Sequence, residues 1–158
     1  MSLLPFIDWC DHMWIGVAIR QSTWLFPAIE TIHLLALAVL LGTIVIANLC
    51  AFGLILRRQA VSQVVGELAL WTFSGLCIML LTGSLLFLSE ATKCYDSPPF
   101  RLKMVCLFVA IIYQFTIYRK VIRSAETHVA SLQTRLAAGV SLMLWFSVAL
   151  AGRAIGYY

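Results

Sequence analysis

The sequence predicts an all-α fold: an integral membrane four-helix antiparallel bundle preceded by an N-terminal interfacial helix. Composition is the first reason. Hydrophobic residues make up 62% of the 158 and charged residues 11%, whereas a soluble domain carries about 45–50% apolar and ~25% charged. The second is four long apolar runs, of the roughly 17–25 residues or more that cross a hydrocarbon core. The third is lysine and arginine gathered at the ends of those runs. A chain of this size has room for four spans and short links, so residues 1–158 read as one membrane domain.

Residues 1–23 read as the interfacial segment. Leu3, Ile7, Cys10, Trp14 and Val17 recur at helical spacing, with Asp8, Asp11 and His12 on another side. Trp9, Trp14 and Trp24 suit headgroup depth. The N-terminus lacks a basic lead, and Asp8 and Asp11 interrupt its apolar stretch, so no cleavable signal peptide is expected. The first span covers about residues 24–56 and stops at Arg57-Arg58; the second covers 64–88. Asp96-Ser97-Pro98-Pro99 breaks the chain before the third, 100–118, which stops at Arg119-Lys120. The fourth fills 136–157. Six basic residues (Arg57, Arg58, Arg119, Lys120, Arg123, Arg135) flank one side and five (Arg20, Lys93, Arg101, Lys103, Arg153) the other. The positive-inside rule therefore expects cytoplasmic links after spans one and three, and periplasmic termini.

Ionisable groups inside a span are costly and mark a site or a structural pair. Glu30 and Asn48 in the first span are eighteen residues apart, about five turns, and share one azimuth; His33 sits within about 60° of it. That face should turn into the bundle, because hydrocarbon offers no partners. Arg153 near the end of span four matches Glu30 and His33 in depth to within about 5 Å, and Lys103 and Arg101 enter span three from the same side. Glu30, His33, Lys103 and Arg153 are the candidate ligand-binding residues. The competing reading is a structural ion pair tying span one to span four, with His33 as a hydrogen-bonded neighbour. Glu67 lies in the first turn of span two, where a carboxylate favours the helix dipole, and reads as structural. Gly152 and Gly156 form a Gly-x-x-x-Gly that lets helices approach closely.

Five cysteines define no disulfide framework, although Cys10 and Cys94 share one side and leave a bridge open. No Cys-x-x-Cys-His occurs, so covalent haem is excluded. A b-type haem would take His33 as its ligand, with His12 or Met104 as the second, since no other histidine lies within a span. Cys10-Asp11-His12-Met13 holds copper-compatible ligands, but adjacent helical residues point in different directions. No phosphate loop, zinc spacing or hydrolase elbow appears, and the modest basic excess is a topology signal, so no nucleic-acid partner is expected.

The stretch Ile19-Arg20-Gln21-Ser22-x-Trp24-Leu25-Phe26-Pro27-x-Ile29-Glu30-x-x-His33 resembles a family of small bacterial inner-membrane proteins, the domain of unknown function 6644. Thr82-Gly83 with Leu86-Phe87, Pro99-Phe100-Arg101-x-Lys103, and Leu144-Trp145 followed by Ala151-Gly152-Arg153-x-Ile155-x-Tyr157 carry the resemblance along the chain. It implies a four-helix membrane fold with Glu30, His33, Lys103 and Arg153 among its characteristic polar positions, and no activity. The chain departs from that pattern at Asn48, where the family favours aspartate, and at Tyr118, where it favours a histidine. The reading is a non-enzymatic bacterial inner-membrane protein, acting as a subunit or small-ligand binder. Its partners would be the lipid bilayer and other membrane subunits or a homo-oligomer. The alternative is a b-type haem or quinone electron-transfer component using His33. A third is a small transporter or metal-handling protein.

Overall fold

In a computed structural model of the chain, the structure describes residue 9 and residues 12–56, 58–92, 97–123 and 131–154. The described elements are α1 (Trp14–Gln21), α2 (Leu25–Ala51), α3 (Val61–Ser89), α4 (Pro98–Tyr113), a π-helical turn (Gln114–Tyr118), α5 (Arg119–Arg123) and α6 (Leu132–Ala154). No strand occurs among the described residues. Among the described residues, four helices are long and apolar enough to cross a membrane: α2, α3, Pro98–Ile122 as one continuous rod, and α6. The protein is therefore a multi-span membrane protein with a short, non-spanning N-terminal helix.

The helices run alternately up and down. α2 and α4 begin, and α3 and α6 finish, at what we call the His33 end; the opposite is the Asn48 end. α2 and α3 make the most extensive contact, α4 and α6 the next, and the α2–α6 contact joins the two hairpins. α2 is the central helix: 44% of its most apolar stretch is buried, against 11% for the Pro98–Ile122 rod. Its buried stripe, Ala36, Leu40, Thr43, Ala47 and Cys50, recurs every three or four residues, the spacing of one helical face. Small residues bring α3 onto that stripe. A Cβ added at Gly75 would lie 3.3 Å from the Ala36 carbonyl and 3.4 Å from Leu40, the close backbone approach that membrane helices use where no hydrophobic effect separates helix from lipid. Leu40, Ile44, Leu76, Met79, Ala110, Trp145 and Val148 fill the middle of the core. The outward faces are apolar, with Leu70, Leu81, Phe108, Met143 and Leu150 exposed, as lipid contact requires.

Helix ends differ from expectation in physically readable ways. The first span stops at Ala51 rather than near residue 56, because Gly53 takes a φ of 75°. Its N–H donates to the Cys50 carbonyl at 2.8 Å and the Leu54 N–H to the Leu49 carbonyl at 3.0 Å, the paired bonds of a Schellman cap. Helix α3 starts at Val61, three residues before the expected 64, and the third rod runs past Tyr118 to Ile122. Helix α6 begins at Leu132; residues 155–158 lie outside the described residues, as do Cys10, Cys94 and the expected helical residues 3–8.

The lead-in helix α1 docks on the end of α3. Its Gly16 lies directly against the Leu88 backbone carbonyl, so close that a Cβ there would collide with it, and Ile19 is buried beside it.

Candidate functional site

The site begins with how α2 starts. The Leu25 N–H donates to the Ser22 hydroxyl at 3.2 Å, supplying one of the orphan donors of a helix N-terminus. Pro27 follows in the first turn, where its missing N–H forfeits no intrahelical bond. The helix is thus regular by the third turn, which carries His33.

The His33 imidazole reaches across to α3, with Nδ1 2.9 Å from the Thr82 hydroxyl. That hydroxyl has one proton and lies 2.7 Å from the Ile78 carbonyl of its own helix. With that proton on Ile78, the Nδ1–H tautomer of His33 donates to Thr82, the Met79 backbone carbonyl is a further acceptor for the ring, and the lone pair lies on Nε2. The ring fits because Gly83 has no side chain: a Cβ there would come 3.2 Å from His33 Cε1. From α4, the Lys103 ammonium lies within electrostatic reach of the imidazole. The lysine stem passes over Gly152 of α6, whose added Cβ would lie 3.5 Å from Lys103 Cε. All four spanning helices therefore contribute: His33, Thr82 with Gly83, Lys103 and Gly152. Phe87 and Phe100 stack at 5.5 Å between centroids and pin the end of α3 to the start of α4 beside it.

Of the four residues expected from sequence, His33 and Lys103 are half-buried and brought together. Glu30 and Arg153 are exposed. The shared azimuth on α2 explains the gradient: Asn48 and Ile44 are buried, Leu41, Leu37 and His33 half-buried, and Glu30 exposed. The bundle opens toward the His33 end. For ligation, His12 and Met104 are both exposed, and among the described residues no group of three or more His, Cys, Asp or Glu could hold a metal ion.

A second polar cluster occupies the Asn48 end. The Asn48 amide donates to the Ile44 carbonyl at 2.8 Å and to Ser141 Oγ at 3.3 Å. Ser141 in turn donates to Gln114 Oε1 at 3.2 Å. Thr72 lies 3.0 Å from Thr43 across the α2–α3 contact, and Tyr113 donates to the Ala137 carbonyl at 3.0 Å. Asn48 Oδ1 and the Tyr118 hydroxyl are buried with no hydrogen-bond partner among the described residues. Sequence reasoning singled out Asn48 and Tyr118 but missed Gln114 and Ser141. Each is one polar residue in an apolar run, and only the fold brings Ser141 to Asn48.

The family described as Family of unknown function (DUF6644) matches residues 6–158. No curated protein and no solved structure matches the chain.

Proposed function

Since the chain belongs to the DUF6644 family, whose description assigns no activity, we propose that it is a non-enzymatic ligand-binding bundle of the bacterial inner membrane. On this reading residues 1–158 act as one membrane domain, and the His33 end binds a small anion that also carries a hydroxyl, such as a hydrogen phosphate or hydroxy acid. The observation that supports it is the pairing of His33 and Lys103. A lysine ammonium attracts anionic oxygen, while an imidazole held by Thr82 through Nδ1 offers Nε2 as an acceptor for a ligand O–H. Exposed Glu30 and Arg153 would form the rim. With six basic residues on the Asn48 side against five on the other, the site would open to the periplasm.

The test is thermal unfolding of the purified protein in mild detergent, with and without inorganic phosphate or acetate. The midpoint should rise with phosphate, less with acetate, and with neither in Lys103→Gln. No rise with either anion would sink the reading, and a Soret band in the same sample would replace it with the haem reading through His33.

A further inference from the structure

At the Asn48 end, a cavity of about 230 Å³ opens sideways between α2, α3 and the π-helical turn. Ile44, Ala47, Val65, Leu68, Ala69 and the rings of Phe73 and Phe115 give it apolar walls, and Thr43, Thr72, Gln114 and Arg119 give it polar points. Phe73, Ala69 and Phe115 are also exposed, so the opening faces the surroundings of the bundle, which in a membrane is lipid. None of these residues belongs to the His33 site.

The π turn creates this arrangement. At the α-helical 100° per residue, Gln114 and Arg119 would stand about 140° apart. An i→i+5 turn widens the coil and brings residues five apart onto the same side of the rod. Gln114 and Arg119 consequently line the same cavity, about one turn apart along the rod, with Arg119 toward the membrane edge and Gln114 deeper. The Gln114 oxygen is occupied by Ser141, which leaves its amide N–H groups for a ligand carbonyl. π turns of this kind are rare and are found frequently at functional sites.

We infer that this cavity binds one anionic phospholipid of the surrounding bilayer, with its phosphate at Arg119, a glycerol ester carbonyl at Gln114 and an acyl chain between Phe73 and Phe115. Phosphate and ester carbonyl lie at successive depths in a glycerophospholipid, in the same order as the cation and the amide along the rod. Guanidinium is the side chain best shaped for phosphate oxygens, and the apolar walls match a chain segment rather than a second headgroup. Charge complementarity selects an anionic lipid over a zwitterionic one.

Native mass spectrometry of the full chain, released from detergent micelles doped with phosphatidylglycerol or phosphatidylcholine, tests this directly. The expected result is one retained phosphatidylglycerol and no comparable retention of phosphatidylcholine. Arg119→Gln should weaken retention about five- to tenfold, from the loss of one surface cation contact. Ala69→Phe, which fills the cavity from its exposed rim, should abolish it. Lys120→Gln, on the neighbouring residue outside the cavity, should leave it unchanged. Thermal midpoints of the variants separate loss of lipid from loss of fold, since position 69 is exposed and its change should leave the apo midpoint in place. Equal retention of both lipids, or undiminished phosphatidylglycerol in Ala69→Phe, would overturn the inference.

Discussion

Trp145 and Arg153 sit two turns apart on α6 and make opposite bets on what stabilises the bundle. Trp145 is 1% exposed, in one core cluster with Leu40, Ile44 and Ala110. Arg153 is exposed. Truncating a buried tryptophan removes packing that neighbours cannot refill, at about 3–5 kcal/mol, whereas an exposed charge contributes about 0–1 kcal/mol. Trp145→Ala should therefore lower the detergent unfolding midpoint strongly and Arg153→Ala hardly at all. A larger loss for Arg153→Ala would favour the structural ion pair between spans one and four over a weakly contributing exposed charge. Asn48 is subtler. Its amide is bonded to Ser141 but its carbonyl oxygen has no partner among the described residues, and side-chain hydrogen bonds between membrane helices average about 0.6 kcal/mol. Asn48→Leu should consequently cost less than about 2 kcal/mol, and Ser141→Ala should cost less in that background than on its own, because only its bond to Gln114 is then left to lose. Full additivity of the pair, read from unfolding free energies, would mean that the bond carries no energy.

At the level of elements, four spans were legible because length and apolarity alone decide which segments can leave water. Their ends were less so. The expected first span ran to residue 56 because Leu54, Ile55 and Leu56 continue the apolar run; the cap at Gly53 overrides that run with backbone geometry. The π turn had no signal at all, since Gln114, Phe115, Thr116, Ile117 and Tyr118 suit an ordinary helix and only the pairing of carbonyls distinguishes the two. His33 and Lys103 were legible as charge inside apolar sequence, but Thr82, the partner of His33, stood out only through the family resemblance, because threonine in a span usually bonds its own helix, as it also does here. The docking of α1 gives an element its own test. Gly16 meets the Leu88 backbone, which cannot yield as a flexible side chain would. Gly16→Val should lift α1 from α3 and speed amide exchange over residues 14–21, with the α2–α3 contact intact. Unchanged exchange would show that α1 holds by Ile19 alone.

For the molecule as a whole, orientation is the property that sequence predicts and an isolated bundle leaves to experiment. A reporter enzyme active only in the periplasm should be silent when fused after residue 58 and active when fused after residue 158, from the distribution of basic residues. The reverse pattern would turn the His33 end toward the cytoplasm and the proposed ligand with it.

The pairing of helices carries a mechanical consequence. The α2–α3 and α4–α6 hairpins each hold together more extensively than they hold to one another, so the line between them is the natural axis for rocking. His33 and Lys103 lie across that line at one end, and Asn48 and Ser141 across it at the other. Two rigid halves pivoting on a shared fulcrum cannot spread at one mouth without adjusting the other. A ligand that clamps His33 to Lys103 would reset the grip of the lipid-facing cavity, and by linkage an occupant of that cavity would reset affinity at the far mouth by the same factor.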